Sequence, residues 1–165
     1  MIVCDSAPLI YLSKTGRLEL LKQLYGEVLI PKGVFDEVVT QAVGKPGASE
    51  VQKAVGTRWV KVEVVSVPRS LRAEGAEGAD GEVIVLAAKK GLPLLTNDRA
   101  LAGIARTHRV ALKWLTQTLP EAVRASVLSP LEARTLLRDL VRAGLRVRSE
   151  ILAETINLIE KSEKQ

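Results

Sequence analysis

The chain is poor in the residue types that most often build disulfides and metal sites. It has one cysteine, Cys4, and one histidine, His108, among 165 residues. A single cysteine excludes an internal disulfide framework and a thiolate zinc cluster. A single histidine excludes a multi-histidine metal site within one chain. Aromatic side chains make up 3% of the residues, and no run interleaves them with basic residues, so no base-stacking platform for single strands is expected.

Long hydrophobic runs are also missing. The densest apolar run, residues 83–88, is six residues long, which is far too short to span a bilayer. The first residues carry no positive charge and reach an acid at Asp5, so they do not resemble a signal peptide. With 47% hydrophobic and 26% charged residues, we expect a globular, cytoplasmic protein with no membrane partner.

The net charge of +5 lies entirely in the C-terminal part of the chain. Residues 1–98 hold 12 basic and 12 acidic side chains, whereas residues 99–148 hold 10 basic and 3 acidic ones. This asymmetry favours a polyanionic partner, nucleic acid before membrane. A solvated basic surface would give the same composition, so the charge alone leaves both interpretations open.

Short apolar runs alternate with helical patterns through the first two thirds of the chain, which is typical of a parallel α/β fold. We predict strands over residues 2–4, 28–30, 59–62, 93–96 and 110–112. Helices are predicted over residues 8–13, from 17 onward, 31–42, 49–55, 80–90 and 98–108, and then at about 121–127, 130–143 and 149–161. The Gly-, Ala- and charge-rich residues 68–81 are expected to form a mobile loop. The pattern thus indicates an α/β domain over residues 1–118 and a helical C-terminal extension over residues 119–165.

Four acidic side chains stand where a parallel sheet would gather them. Asp5 follows the first predicted strand and Asp98 follows the fourth, at the carboxyl ends where the crevice of such a sheet forms. Asp80 begins the helix that leads into the fourth strand, and Glu37 lies in the helix after the second. Both can point into the same crevice, and Glu82 lies near Asp80.

Carboxylates that face one another repel, and burial without compensation raises their pKa values. A hard cation such as Mg²⁺ or Mn²⁺ relieves this repulsion, because it takes oxygen ligands and needs only a few carboxylates. Such a site activates water and stabilises charge that develops on a phosphate. Asp5 and Asp98 also precede predicted helices, where aspartate is a favoured N-cap, so capping would explain each of them singly.

The segments around these acids resemble motifs of PIN-domain nucleases. Residues 2–10 (IVCDSAPLI) are similar to the opening motif of that family, which is an apolar strand, then Asp-Ser or Asp-Thr, then an apolar helix. Residues 31–37 (PKGVFDE) are similar to its proline, valine, glutamate pattern, with Glu37 in the acidic place.

The third and fourth acidic motifs of the family have counterparts as well. Residues 80–87 (DGEVIVLA), followed by Gly91 and residues 94–98 (LLTND), resemble them at the expected step from one acid to the next. The resemblance covers roughly residues 1–115, and the helical tail is similar to that of one PIN-like branch with a Gly-Glu-type third motif.

The resemblance implies a PIN-like three-layer α/β/α fold with a parallel central sheet. It also implies a Mg²⁺- or Mn²⁺-dependent endoribonuclease, as in the VapC-type toxins of toxin–antitoxin pairs. The implied partners are an RNA substrate, an antitoxin protein and a second copy of the chain in a homodimer. The implied metal ligands and catalytic residues are Asp5, Glu37, Asp80 and Asp98, with a hydroxyl behind them from Ser6 or Thr96.

Two carboxylates compete for the third acidic position. The branch pattern has carboxylates two residues apart, as Asp80 and Glu82 are. The 18-residue step to Asp98 favours Asp80, which leaves Glu82 as an outer ligand of the metal.

Two other classes of function compete with the nuclease. A catalytically degenerate module would keep the acidic crevice and bind RNA or protein without cutting. A receiver-type phosphoacceptor would use Asp5 with Lys113, but it leaves Glu37, Asp80 and Asp98 without a joint purpose. A dehalogenase-type phosphatase is excluded because the residues after Asp5 lack the second aspartate of an Asp-x-Asp motif.

Three arginines recur every fourth residue in the second helix of the extension and so share one of its faces. We call this set, Arg134, Arg138 and Arg142, the arginine face. Because arginine binds phosphate through two parallel hydrogen bonds, the arginine face is a candidate RNA-binding surface. A solvated helix face is the alternative.

Overall fold

A five-stranded parallel sheet forms the centre of the computed structural model, which describes residues 1–163. The strands are β1 (Ile2–Cys4), β2 (Val28–Pro31), β3 (Val60–Glu63), β4 (Leu94–Thr96) and β5 (Leu112–Trp114). Their order across the sheet is β3-β2-β1-β4-β5. The inner strands are short apolar runs that are buried throughout, as expected of strands covered by helices on both faces.

Ten α-helices flank the sheet and continue beyond it in the described residues. They are α1 (Ser6–Lys14), α2 (Glu19–Tyr25), α3 (Lys32–Phe35), α4 (Ala48–Gly56), α5 (Arg69–Ala73), α6 (Gly78–Lys90), α7 (Arg99–Thr107), α8 (Thr118–Arg124), α9 (Pro130–Arg142) and α10 (Ser149–Ser162). The predicted three-layer α/β/α fold with a parallel sheet and three C-terminal helices is therefore confirmed. Over residues 1–163, no helix combines the length and the apolar character that a bilayer crossing requires.

The direction of winding reverses between β1 and β4. From β1 the chain builds outward through β2 to β3, then returns to the other side of β1 for β4 and β5. In open parallel sheets, ligands bind outside the carboxyl ends of the strands at such a reversal. Since β1 ends at Cys4 and β4 ends at Thr96, the crevice lies where Asp5 and Asp98 follow their strands.

One hydrophobic cluster runs from the sheet into the C-terminal helices. Leu95 of β4, Leu119 of α8, Leu137 of α9 and Ile159 of α10 all belong to it, each at most 2% exposed. The division expected between residues 118 and 119 falls in the first turn of α8, and the boundary stays a prediction.

The helix expected over residues 31–42 is interrupted. α3 ends at Phe35, a π-helical segment (Asp36–Thr40) follows, and a turn begins at Gln41. The Gln41 amide donates to the carbonyl of Asp36 at 2.7 Å, a step of five residues in place of four. The β-branched run from Val38 to Thr40 is a weak helix former. Departing from the α-helical conformation therefore costs less free energy here than it would in an alanine-rich run. π-Turns of this kind are frequent at functional sites.

The mobile loop expected over residues 68–81 is wrong. α5 lies within it, and α6 begins inside it at Gly78. Leu71 is 2% exposed and Ala76 is fully buried, while the Arg72 guanidinium donates to the Val67 carbonyl at 2.8 Å. The buried side chains of Leu71 and Ala76 therefore hold in place a segment whose composition is otherwise typical of a loop.

Candidate active site

Asp5 is the buried centre of the candidate site. It directly follows β1, caps the N-terminus of α1 and is 7% exposed. Its Oδ1 accepts a hydrogen bond from the Ser6 amide at 2.7 Å, and its Oδ2 accepts one from the Thr96 hydroxyl at 3.0 Å. The pairing of β1 with β4 brings these groups together, since the Asp5 amide also donates to the Leu95 carbonyl at 3.0 Å.

Thr96 joins Asp5 to Asp98. Its hydroxyl, fully buried at the end of β4, donates to Asp5 and accepts from the Asp98 amide at 3.0 Å. Asp98 is exposed and caps α7, with Oδ1 accepting from the Leu101 amide at 3.0 Å. The capping roles suggested by the sequence are thus present at both aspartates, and the two caps meet through one threonine.

Glu37 enters the same network through Ser6. It lies in the π-helical segment, and its Oε2 accepts a hydrogen bond from the Ser6 hydroxyl at 2.6 Å. Ser6 follows Asp5 directly, so a chain of hydrogen bonds runs from Glu37 through Ser6 to Asp5 and on through Thr96 to Asp98. Both hydroxyls expected behind the acids, those of Ser6 and Thr96, contact acids in this structure.

Asp80 is coupled to the same acids by charge. It lies in the first turn of α6. Burial raises its pKa, and the charges of Asp98 and Glu37 raise it further. Burial likewise raises the pKa of Asp5 to about 6, with added repulsion from Asp80 and Asp98, against the lowering effect of the hydrogen bonds from Ser6 and Thr96. We call the four residues Asp5, Glu37, Asp80 and Asp98 the acidic crevice.

Nothing in the described residues neutralises the acidic crevice. The ion pairs between residues 1 and 163 involve other acids, among them Asp36 with Lys32 and Glu121 with Lys113. Within residues 1–163, the contacts shown at these carboxylates are hydrogen bonds, from the Ser6 amide and hydroxyl, the Thr96 hydroxyl and the Leu101 amide. Such an arrangement is costly to folding and is found where a site serves a ligand.

Glu82 accepts a hydrogen bond from outside this network. Its Oε2 accepts a hydrogen bond from the Gly33 amide at 2.7 Å, and a Cβ at Gly33 would lie 2.8 Å from the same oxygen. Helix residues two apart do not face each other, so Asp80 and Glu82 point from α6 in different directions. Asp80 is thus the residue of α6 whose charge interacts with Asp98 and Glu37. Glu82 instead holds the start of α3, the helix that precedes Glu37.

A divalent cation fits the acidic crevice by its donor set. The available atoms are carboxylate oxygens, which are the ligands that Mg²⁺ and Mn²⁺ select. No cationic side chain of the described residues forms an ion pair with them. Over residues 1–163, no three acidic, histidine or cysteine side chains converge tightly enough to hold an ion directly. Mg²⁺ usually keeps several waters and is held by one or two carboxylates, so the set remains suitable. The five metal-ligand assignments stay predictions.

Lys113 is committed elsewhere, which removes the receiver-type alternative. Its ammonium donates to Glu121 Oε2 at 2.6 Å and lies 5.2 Å from the centre of the Tyr25 ring. Tyr25 also donates to Glu121 Oε2, at 2.9 Å. A receiver-type phosphoacceptor would need the Lys113 ammonium beside Asp5. Its contacts here are with Glu121 and Tyr25 instead.

The arginine face lies on the exposed side of α9. Arg134 Nη1 is 3.4 Å from Glu160 Oε1 of α10, and Arg138 and Arg142 are exposed. On the opposite side of α9, Leu136 and Leu140 are buried. The amphipathic pattern is confirmed, and RNA binding by this face stays a prediction.

A cavity of about 300 Å³ beside Asp98 was not predicted from the sequence. It is lined by Asn97 and Arg99, by Trp114 at the end of β5, and by residues from Arg146 to Leu158 around α10. Its walls come from three separate parts of the chain, so no local motif could have shown it.

The fold and the acidic crevice together define a PIN domain, and comparison with known families agrees. The family model described as DUF3368, PIN domain, matches residues 1–161. The chain belongs to this PIN-domain family. PIN domains are generally nucleases, which are hydrolases, and they typically use divalent metal ions. Searches of curated proteins and of solved structures gave no match.

Proposed function

We propose that the protein is a Mg²⁺- or Mn²⁺-dependent endoribonuclease that hydrolyses RNA phosphodiester bonds. The observation that carries this proposal is the acidic crevice itself. Four carboxylates that form no ion pair with any described residue lie at the reversal point of a parallel sheet, and two of them have raised pKa values. Membership of the PIN-domain family supports the same conclusion.

Each residue of the site has a distinct task in this proposal. Asp5, Glu37, Asp80 and Asp98 would hold the cation, with Asp5 fixed most firmly because both of its oxygens accept hydrogen bonds. Ser6 and Thr96 orient Glu37 and Asp5 through their hydroxyls. Glu82, through Gly33, positions the segment that carries Glu37.

When bound, the cation supplies positive charge that stabilises the phosphate in the transition state and favours deprotonation of water. Water is the nucleophile: a new P–O bond forms to its oxygen, the ester P–O bond breaks, and the departing oxygen is protonated. No covalent bond to the chain is needed. The side chains of the acidic crevice hold, orient and desolvate the reacting groups.

We further propose the biological setting that the resemblance implies. The nuclease would be the toxin of a toxin–antitoxin pair, bound by a small antitoxin protein and assembled as a homodimer. Exposed apolar side chains on the C-terminal helices, Leu131 and Val141 on α9, offer surface for a protein partner.

Cleavage of a pooled RNA in MnCl₂ and in EDTA tests the nuclease proposal. The wild type is compared with Asp80→Asn and with Asp36→Asn, a matched control, since Asp36 is an acid outside the crevice that pairs with Lys32. We expect Mn²⁺-dependent cleavage that Asp80→Asn abolishes and Asp36→Asn preserves. RNA binding without cleavage would identify a binding module, and equal cleavage by all three proteins would contradict the assignment of the site.

A further inference from the structure

The cavity beside Asp98, which we call the Trp114 cavity, has the size of a small-ligand site. Its volume of about 300 Å³ is at the lower end of the range for ligand pockets, roughly 300–1,000 Å³. The half-buried Trp114 ring forms part of its wall. Ile151 and Leu158 of α10, 42% and 37% exposed, add apolar surface to the same wall.

Positive charge surrounds this apolar wall. Arg99, Arg146 and Arg148 line the cavity, and all three are exposed. None of them forms an ion pair with another residue in the described part of the chain. Glu154 is the one acid among the lining residues. The lining therefore carries a net positive charge.

The cavity borders the stretch of chain that carries Asp98. Asn97 and Arg99, the two neighbours of Asp98 in the chain, both line it. Trp114 is the register partner of Thr96, whose hydroxyl donates to Asp5. Neighbouring strands lie about 4.8 Å apart, so Trp114 stands two strand spacings from β1 along the same edge of the sheet.

We propose that the Trp114 cavity binds one nucleotide of a single-stranded nucleic acid, next to the phosphate that lies in the acidic crevice. The base would stack on the Trp114 ring against the apolar wall, and the arginines would bind the phosphates on either side of it. Stacking on aromatic rings combined with basic side chains is the usual recognition of single strands. This proposal rests on the proposed function and names its substrate class.

Charge complementarity favours a nucleic acid over a peptide as the occupant. A flat base fills an apolar slot of this size, and unpaired arginines suit phosphate through two parallel hydrogen bonds.

Tryptophan fluorescence tests the proposal in EDTA, where no cleavage occurs. A Trp59→Phe background removes the second tryptophan, which is buried at 7% exposure, so the signal reports Trp114 alone. The probe is a single-stranded RNA of ten uridines, with a double-stranded RNA for comparison. We expect quenching by the single strand and little by the duplex.

The variant Arg146→Gln/Arg148→Gln is compared with Lys45→Gln/Lys53→Gln, which removes equal charge from two exposed lysines that lie outside both the Trp114 cavity and the arginine face. We expect the cavity pair to weaken binding at least about fivefold and to flatten the slope of log K against log salt by about 1.4, since each phosphate contact contributes about 0.7 for single strands. The matched pair should change neither quantity. Ile151→Asp, at an exposed position, should weaken binding by placing an acid in the cavity without disturbing the sheet.

The outcomes separate this proposal from the proposed function. If single-stranded RNA does not quench Trp114, or if the lysine pair weakens binding as much as the cavity pair does, the cavity is not a nucleotide site, whatever the cleavage assay shows. If a partner protein protects Trp114 and RNA does not, the cavity is a protein-docking site and the proposal is overturned. Binding as expected without Mn²⁺-dependent cleavage would support the cavity and refute the nuclease.

Discussion

The acidic crevice and the arginine face carry opposite charges in opposite surroundings. In the crevice, Asp5 is 7% exposed and has a pKa raised to about 6, and it forms no ion pair with any residue between 1 and 163. On α9, Arg138 and Arg142 are exposed, and Arg134 lies near Glu160. A charge in water is nearly free of cost, whereas a buried and uncompensated charge lowers the stability of the fold.

Because of this difference, the acidic crevice is stronger evidence for a functional site than the arginine face is. The acidic crevice lowers the stability of the fold, and helix capping alone does not explain why the four acids lie together. A bound cation would offset this loss of stability. The arginine face needs no such explanation, because a regular spacing of exposed arginines is compatible with simple solvation. A buried charge without a counter-charge therefore indicates a functional site more strongly than a regular spacing of charged residues on an exposed helix face does.

Cleavage should show the largest contrast between the two regions. Asp5→Asn should lower Mn²⁺-dependent RNA cleavage by on the order of a hundredfold or more, because it removes a charge that would hold the cation. Arg138→Gln/Arg142→Gln should keep the wild-type rate at saturating RNA, because the arginine face holds none of the reacting groups. Rates with a labelled single-stranded RNA at saturating Mn²⁺ provide the measurement. A comparable loss in the arginine variant would make α9 part of the active site and erase the contrast.

Metal affinity should separate the two acids of α6. Asp80→Asn should weaken Mn²⁺ binding at least about tenfold, whereas Glu82→Gln should leave it nearly unchanged. Glutamine retains an oxygen that can accept from the Gly33 amide, so Glu82→Gln preserves the contact at α3. Calorimetric titration of Mn²⁺ into each variant gives the affinities. The reverse order would make Glu82 the third acid.

Asp5→Asn should stabilise the metal-free protein at neutral pH. A carboxyl whose pKa rises from 3.8 to about 6 on folding contributes stability that is complete below about pH 4 and is lost as pH rises through about 6. The full shift corresponds to about 3 kcal/mol, and an altered hydrogen bond to Thr96 reduces the gain. We expect a melting temperature a few degrees above that of the wild type at pH 7.5 in EDTA, and a smaller difference at pH 4.5.

Asp98→Asn is the control for this effect. Asp98 is exposed, and asparagine caps a helix about as well as aspartate does. The melting temperature of Asp98→Asn should therefore rise less than that of Asp5→Asn, because it removes only the repulsion that Asp98 exerts on Asp5 and Asp80. A clear drop for Asp5→Asn at pH 7.5 would mean that this carboxylate stabilises the fold as a cap.

The smallest effect is expected at the one arginine of the arginine face that has an acidic neighbour. Arg134→Gln removes an exposed ion pair with Glu160, and such pairs contribute about 0–1 kcal/mol. The melting temperature should fall by no more than about 2–4 °C. A larger fall would show that α9 and α10 depend on this contact.

The parts of the fold that depend on local pattern could be predicted from the sequence. The buried strands are apolar runs, and the C-terminal helices follow a regular spacing of leucines. The expected convergence of Asp5, Asp80 and Asp98 followed from the rule for parallel sheets, and the structure couples these residues by charge. Features that depend on contacts distant in sequence could not be predicted.

Three cases show that limit. The π-helical turn at Glu37 has no simple sequence signal, since β-branched runs occur in ordinary helices too. The role of Glu82 depends on Gly33, a residue 49 positions away. The Trp114 cavity needs β5 and α10 to meet, and Trp114 stands alone in the sequence without neighbouring aromatics.

The central claim is that the acidic crevice holds a divalent cation. A crystal soaked in MnCl₂, with anomalous scattering used to locate manganese, tests it most directly. The account predicts a peak within direct or water-mediated reach of Asp5 and Asp80, in the wild type and not in Asp80→Asn. Manganese bound only elsewhere, for example at Glu82, or no manganese at saturating concentration, would contradict it.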